Sequence, residues 1–200
     1  MARNYWMLVQ TAENFEISKG LGFTLHGVGP KYRKRADRMQ PDDRVLYYVS
    51  GVNKWTVAAT ITSKSFEDNA PIWKSYSNRD DFRHRVKIQP TIILQESEYI
   101  DAMILAPRLS YVKKWVPDMW PLAFVGSLHL LPQADFKLIE DEMKRLVSYR
   151  TKPLWTGPNS KPAESAPTLD VHNSTATATE QASEIAEPVQ ADEEEQRASA

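Results

Sequence analysis

The chain has 200 residues, with 25 Lys and Arg against 26 Asp and Glu, and it contains no cysteine. Disulfides and thiolate chemistry are therefore excluded, and no run approaches the ~20 apolar residues that a membrane-spanning helix needs. The formal net charge of −1 conceals a division: residues 161–200 hold nine acidic and two basic residues, a net of −7, which leaves +6 for residues 1–160.

Every aromatic residue lies at or before Trp155. From Lys161 onward the chain of Ala, Ser, Thr, Glu and Pro has too little apolar surface to offset the entropy of ordering. One folded domain is expected over 1–150, long enough to bury a single core, followed by a disordered acidic tail over 151–200. The apolar stretch Tyr5–Val9 is too short for a secretory leader and Glu13 follows it closely, so a cytoplasmic protein is expected.

In chain order, Tyr5–Val9 reads as a buried strand. Thr11 caps a short helix that contains Phe15 and ends at Gly20. Gly22, Gly27, Gly29 and Pro30 punctuate a loop. Residues 31–38 are predicted as a short helix with Tyr32, Ala36 and Met39 roughly on one face. Pro41-Asp42-Asp43 is a turn, and Val45–Val49 and Trp55–Thr62 form a hairpin around Ser50–Asn53. Residues 66–82 are polar but include Trp73 and Tyr76. Arg85–Ile88 alternates basic and apolar residues as a half-exposed strand does. Pro90 marks a strand edge or a bulge before Thr91–Leu94. Tyr99, Ile100, Met103 and Ile104 suit a small helix, and Trp115–Phe124 a proline-punctuated aromatic loop. After Pro132, the residues Phe136, Ile139, Met143, Leu146 and Val147 follow amphipathic helical spacing. Several short strands with helices at their ends predict an α+β domain built on a small, partly open β-barrel.

Five cations fall within eight residues: Lys31, Arg33, Lys34, Arg35 and Arg38. Fixed to a folded scaffold, such a cluster is the footprint of a polyanion site. Lys31, Arg33, Lys34 and Arg35 are the expected phosphate contacts, and Arg83, His84, Arg85, Lys87, Lys113 and Lys114 are candidates to extend the track. The competing reading is a solvated helix face, which the local excess of positive charge disfavours.

The segments YWMLVQTAENFEI, Gly27-Val28-Gly29-Pro30-Lys31, MQPDDRVLYYVS, RVKIQP and LLPQADFKLIEDEM, in this order over residues 4 to about 147, resemble the EVE domain. That family belongs to the PUA-like superfamily and is related to YTH readers of methylated adenine. The resemblance implies a β-barrel flanked by short helices and an aromatic-walled pocket for an extruded, chemically modified base, in DNA (modified cytosine) or in RNA. The family's Pro-Gly-Asp turn is Pro41-Asp42-Asp43 here, and the tail lies outside the family pattern.

A base taken out of its stack needs flat walls, polar groups at its edge and cations for the flanking phosphates. Trp115 and Trp120 are the expected walls, because Pro117 and Pro121 restrict their loop. Trp6 is expected to reach the pocket from the first strand, while Trp55 leans toward the core. Trp73 and Trp155 complete the set. Asn14 follows the first strand where the family pattern places a pocket residue, although Asn also caps helices. Tyr48 and Ser50 share one side of their strand, with a turn-forming hydroxyl as the competing role for Ser50.

No catalytic, metal or cofactor site is expected. His26, His84, His129 and His172 lack metal-ligand spacing, and no nucleophile motif is present. The expected function is a non-catalytic reader of a modified base. The alternatives are a general RNA-binding PUA-like module, or an interaction protein that recruits a partner through residues 161–200.

Overall fold

Residues 5–10, 44–49 and 54–61 carry apolar side chains on both pleat faces, and both faces are covered. The computed structural model describes residues 3–75 and 81–151; the tail, Trp155 and Tyr76 lie outside them. The strands are β1 (Tyr5–Gln10), β2 (Leu25–Val28), β3 (Arg44–Val49), β4 (Lys54–Ile61), β5 (Phe66–Glu67), β6 (His84–Ile93), β7 (Ile100–Asp101) and β8 (Leu128–Leu130). They form one sheet in the order β2-β6-β4-β3-β1-β8, with β5 beside β6 and β7 beside β4. The sheet curls into a half-barrel. The helices are α1 (Ala12–Gly20), α2 (Arg33–Ala36), α3 (Ala102–Leu105) and α4 (Gln133–Thr151). Strands β1 and β3 run parallel; β3–β4, β4–β6 and β1–β8 are antiparallel.

The two-residue period of a strand sorts the side chains. Trp6, Leu8, Val45, Tyr47 and Val49 enter a core closed by Phe15 of α1, Val28 of β2, and Ala36 and Met39 around α2. Met7, Leu46 and Tyr48 enter the opposite core, against Leu105, Trp120, Phe124, Phe136, Ile139 and Met143. Burial of each large side chain is worth roughly 1.5–3 kcal/mol, so a core on each face holds the central strands from both sides. That is why these strands read as continuous apolar runs instead of alternating.

Several elements depart from the sequence expectation for local reasons. The glycine-punctuated stretch contains β2. Gly27 lies within it because a Cβ there would stand 2.5 Å from the Phe82 carbonyl oxygen and 2.6 Å from the Trp73 ring; glycine in a strand marks such a close approach. Ile100 and Asp101 extend the sheet, and helix α3 begins only at Ala102, capped by Asp101 Oδ1 accepting from Met103 N at 2.8 Å. Residues Pro117–Phe124 form a 3-10 helix rather than a loop. Strand β8 was not expected at all. Pro90 sits beside a bulge: Ala59 faces Pro90 and Ala58 faces Ile92, leaving Thr91 unpaired in the ladder. The Thr91 hydroxyl then donates to Ala58 O at 3.0 Å.

The Pro41-Asp42-Asp43 turn keeps the shape that glycine favours, with Asp42 at φ 74. Asp43 is 2% exposed. Its Oδ1 accepts from Asn4 N at 2.8 Å, and its Oδ2 accepts from Trp6 Nε1 at 2.9 Å and Gln40 N at 3.1 Å. One carboxylate thus ties the turn to the start of β1.

Candidate nucleic-acid interface

Gly29 precedes a 3-10 turn at Pro30–Tyr32 that runs into α2. Ala36 and Met39 are the buried anchors of this segment, so its cations are held at the surface on a fixed base. Lys31, Arg35 and Arg38 line one side of a cleft of about 530 Å³. The cleft lies at the end of the sheet, where β8 is the last strand. Arg35 Nη1 donates to Leu128 O at 2.7 Å. The Arg35 guanidinium and Lys31 ammonium lie 5.8 and 5.7 Å from the Tyr32 ring centre, within cation–π range. The Tyr32 hydroxyl accepts from Ser127 N at 3.0 Å.

Tyr111, Trp115, Leu122 and Val125 line the cleft as well, together with Trp6 and His129. Trp115 is 36% exposed, whereas Trp6 is 1% exposed. His129 is buried. Its Nδ1 lies 2.9 Å from the Tyr111 hydroxyl, and its Nε2 is enclosed, with no hydrogen bond of normal geometry among the described residues. Burial holds the His129 pKa below the ordinary histidine value, the Gly126 carbonyl opposes this, and the Arg35 charge adds to it. His129 therefore stays neutral near pH 7. Gly126, at φ 119, lets the Tyr32 hydroxyl pack against its backbone: a Cβ there would stand 2.5 Å from that hydroxyl and 3.6 Å from His129 Nε2.

A second cavity, of about 450 Å³, includes Tyr48, Ser50, Asn53, Phe124, Gly126 and Ser127 in its lining. The Tyr48 hydroxyl donates to Asn53 Oδ1 at 2.9 Å, and the Ser50 hydroxyl donates to Gln10 O at 3.0 Å. Burial, helped by the nearby Asp101 charge, pushes the Tyr48 pKa up to about 12. Val125, 71% exposed, lines both cavities.

The residues expected to form one pocket are thus divided. Trp6, Trp115, Lys31 and Arg35 meet in the cleft, and Tyr48 and Ser50 meet in the second cavity. Trp120 lines neither. It is 6% exposed and packs edge-on against Phe124 at 5.5 Å; the 3-10 helix turns it inward, away from Trp115. Asn14 is also elsewhere: its Nδ2 donates to Lys74 O at 3.0 Å and its Oδ1 accepts from Lys74 N at 2.8 Å. Neither Arg33 nor Lys34 lines the cleft, and Arg33 lies 4.0 Å from both Asp37 and Glu67. Arg85, expected to extend the track, is fully buried, where it pairs with Asp68 and lies 5.5 Å over the Trp73 ring.

Tyr111, His129 and Val125 were not anticipated. Their only sequence signals were an isolated tyrosine, a histidine without metal-ligand spacing, and a valine beside a glycine. Among the described residues no group of three or more His, Asp or Glu is placed to hold a metal ion, and no helix is long and apolar enough to cross a membrane.

The EVE domain model matches residues 4–140. The chain belongs to the EVE domain family. A curated relative of this EVE protein, the UPF0310 protein of Pyrococcus abyssi, is 24% identical over 146 residues, which span 68% of this chain and 97% of the relative. Among solved structures, the YTH domain of Mmi1 in complex with RNA aligns with a TM-score of 0.55 at 10% identity, over 74% of this chain and 85% of that one. The YTH domain of the Zygosaccharomyces rouxii MRB1 protein, in complex with N6-methyladenosine RNA, aligns with a TM-score of 0.52 at 17% identity, over 71% and 85%. The EVE chain shares the YTH fold.

Proposed function

We propose that this EVE protein is a non-catalytic nucleic-acid-binding module that reads a modified base, in DNA or RNA, outside its stack. The observation that carries the reading is the meeting, in one cleft, of three cations with an exposed indole and the half-buried Tyr111 ring. Lys31, Arg35 and Arg38 hold backbone phosphates. Trp115 and Tyr111 supply flat walls. His129 Nδ1 holds the Tyr111 hydroxyl in place. The RNA complexes of the structural relatives support the reading.

The test is a panel of labelled DNA and RNA strands, each with a modified cytosine or adenine or its unmodified twin. Stacking on an aromatic side chain is worth about 1–3 kcal/mol per base. Trp115→Ala should therefore weaken the preferred strand roughly 5- to 150-fold and reduce its advantage over the unmodified twin. Equal affinity for every modified and unmodified pair would sink base reading and leave a general backbone binder.

A further inference from the structure

The second cavity differs from the cleft in its chemistry. No residue lining it carries a charge, and Tyr48 is held as the neutral phenol. It therefore has nothing to offer a phosphate or any other ion. Its floor includes the edges of two nearly buried rings, Tyr48 and Phe124, with two polar groups of fixed position beside them. Asn53 Oδ1 is engaged by the Tyr48 hydroxyl, while no hydrogen bond engages the Asn53 side-chain nitrogen among the described residues. That leaves an N–H donor available at the cavity. The Ser50 hydroxyl spends its hydrogen on Gln10 O and keeps its lone pairs.

The two sites are neighbours through one short segment. Residues 122, 123 and 125 line the cleft, residues 121, 124, 126 and 127 line the cavity, and Val125 lines both. A strand whose phosphates rest on Lys31, Arg35 and Arg38 and which crosses the Val125 ridge brings its adjacent nucleotide to the cavity. With no cation there, the part of that nucleotide the cavity can hold is its uncharged base. An exposed apolar side chain between two base sites is also suited to wedge between successive bases.

We infer that this cavity is a second base subsite, which takes the nucleotide next to the one held in the cleft. The protein thus reads a two-nucleotide step. The Asn53 N–H favours a neighbouring base that presents an acceptor, a carbonyl oxygen or ring nitrogen, toward it. The inference rests on the nucleic-acid reading of the cleft.

The test uses the full chain and short fluorescein-labelled single strands of RNA and DNA. Each strand carries one tight-binding central base and varies the four bases on either side of it. Wild-type protein should discriminate at one flank by about five- to tenfold, the scale of a single hydrogen bond. Asn53 has φ 54, a conformation that glycine adopts freely, so Asn53→Gly removes the amide without straining the turn. It should flatten the flank preference to within about twofold while leaving the central-base preference and the salt dependence unchanged. Asn53→Asp keeps the side-chain shape, replaces the donor by an acceptor, and should shift the flank preference toward donor-bearing bases. Flat binding across all flanks by wild-type protein, or a preference that survives both substitutions, overturns the subsite and leaves the cleft reading standing. Failure of every strand to bind overturns both.

Discussion

Arg38→Gln isolates the electrostatic part of binding. The Arg38 guanidinium lines the cleft and makes no hydrogen bond or ion pair among the described residues, so its removal costs the fold little. Three cations line the cleft. Each phosphate neutralised on a single strand contributes about −0.7 to the slope of log K against log salt, so the wild-type slope should be about −2.1. Between 50 and 200 mM salt, the affinity should then fall roughly 18-fold. Arg38→Gln leaves two cations, a slope of about −1.4, and a fall of roughly sevenfold over the same range. Lys34→Gln, four residues away but outside the cleft, should leave the slope at the wild-type value. Fluorescence anisotropy at four or five salt concentrations gives all three slopes. A slope that Arg38→Gln does not change, or that Lys34→Gln changes as much, would refute the placement of the phosphates along the cleft.

Three further outcomes are expected. Asp43→Ala removes the acceptor of Trp6 Nε1 and of two backbone N–H groups; leaving such buried donors unpaired should cost about 3–5 kcal/mol in urea unfolding. Burial pushes the His26 pKa down to about 3, and both its ring nitrogens lack partners among the described residues. Above pH 6.5 neither the folded nor the unfolded chain protonates this ring. As pH falls from 6.5 toward 3 only the unfolded chain does, so stability drops by about 1.4 kcal/mol per pH unit. His26→Phe should abolish that component, seen as a smaller loss between pH 7 and pH 5 in parallel urea titrations. Deleting residues 161–200, with their net charge of −7, should tighten strand binding at low salt if the acidic tail competes for the cleft. Unchanged affinity at 50 mM salt would exclude that competition.

The strands that carry the fold were legible in the sequence because buried sheet residues are apolar and β-prone over runs long enough to stand out, as Tyr5–Val9 and Val45–Val49 do. Strand β8 was not, since three residues with a histidine at their centre offer no periodicity. Its existence depends on pairing with β1 across more than 100 positions. The same limit explains the division of the candidate site. Local pattern placed Tyr48 and Ser50 on one side of a strand; both line the second cavity, although β3 ends at Val49 and Ser50 belongs to the turn after it. It could not show that the Pro117–Phe124 turn rotates Trp120 inward while Trp115 stays at the surface. Asn14 was misplaced for a related reason. Its amide pairs with both backbone groups of Lys74, sixty residues away, as a neighbouring strand would. Charge was readable as a cluster, but its sorting into cleft and non-cleft cations required the orientation of α2.

The bond from Arg35 to Leu128 O has a consequence for self-association. Strand β8 ends the sheet, and the outer backbone groups of a terminal strand are a template on which a second chain can add a strand. Arg35 occupies one of those carbonyls and sets a positive charge over the edge, a common means of keeping sheets from growing between molecules. The guanidinium that helps to form the cleft therefore also guards the sheet. Replacing it would weaken ligand binding and uncover the edge together, and loss of function in such a variant would be accompanied by concentration-dependent oligomers.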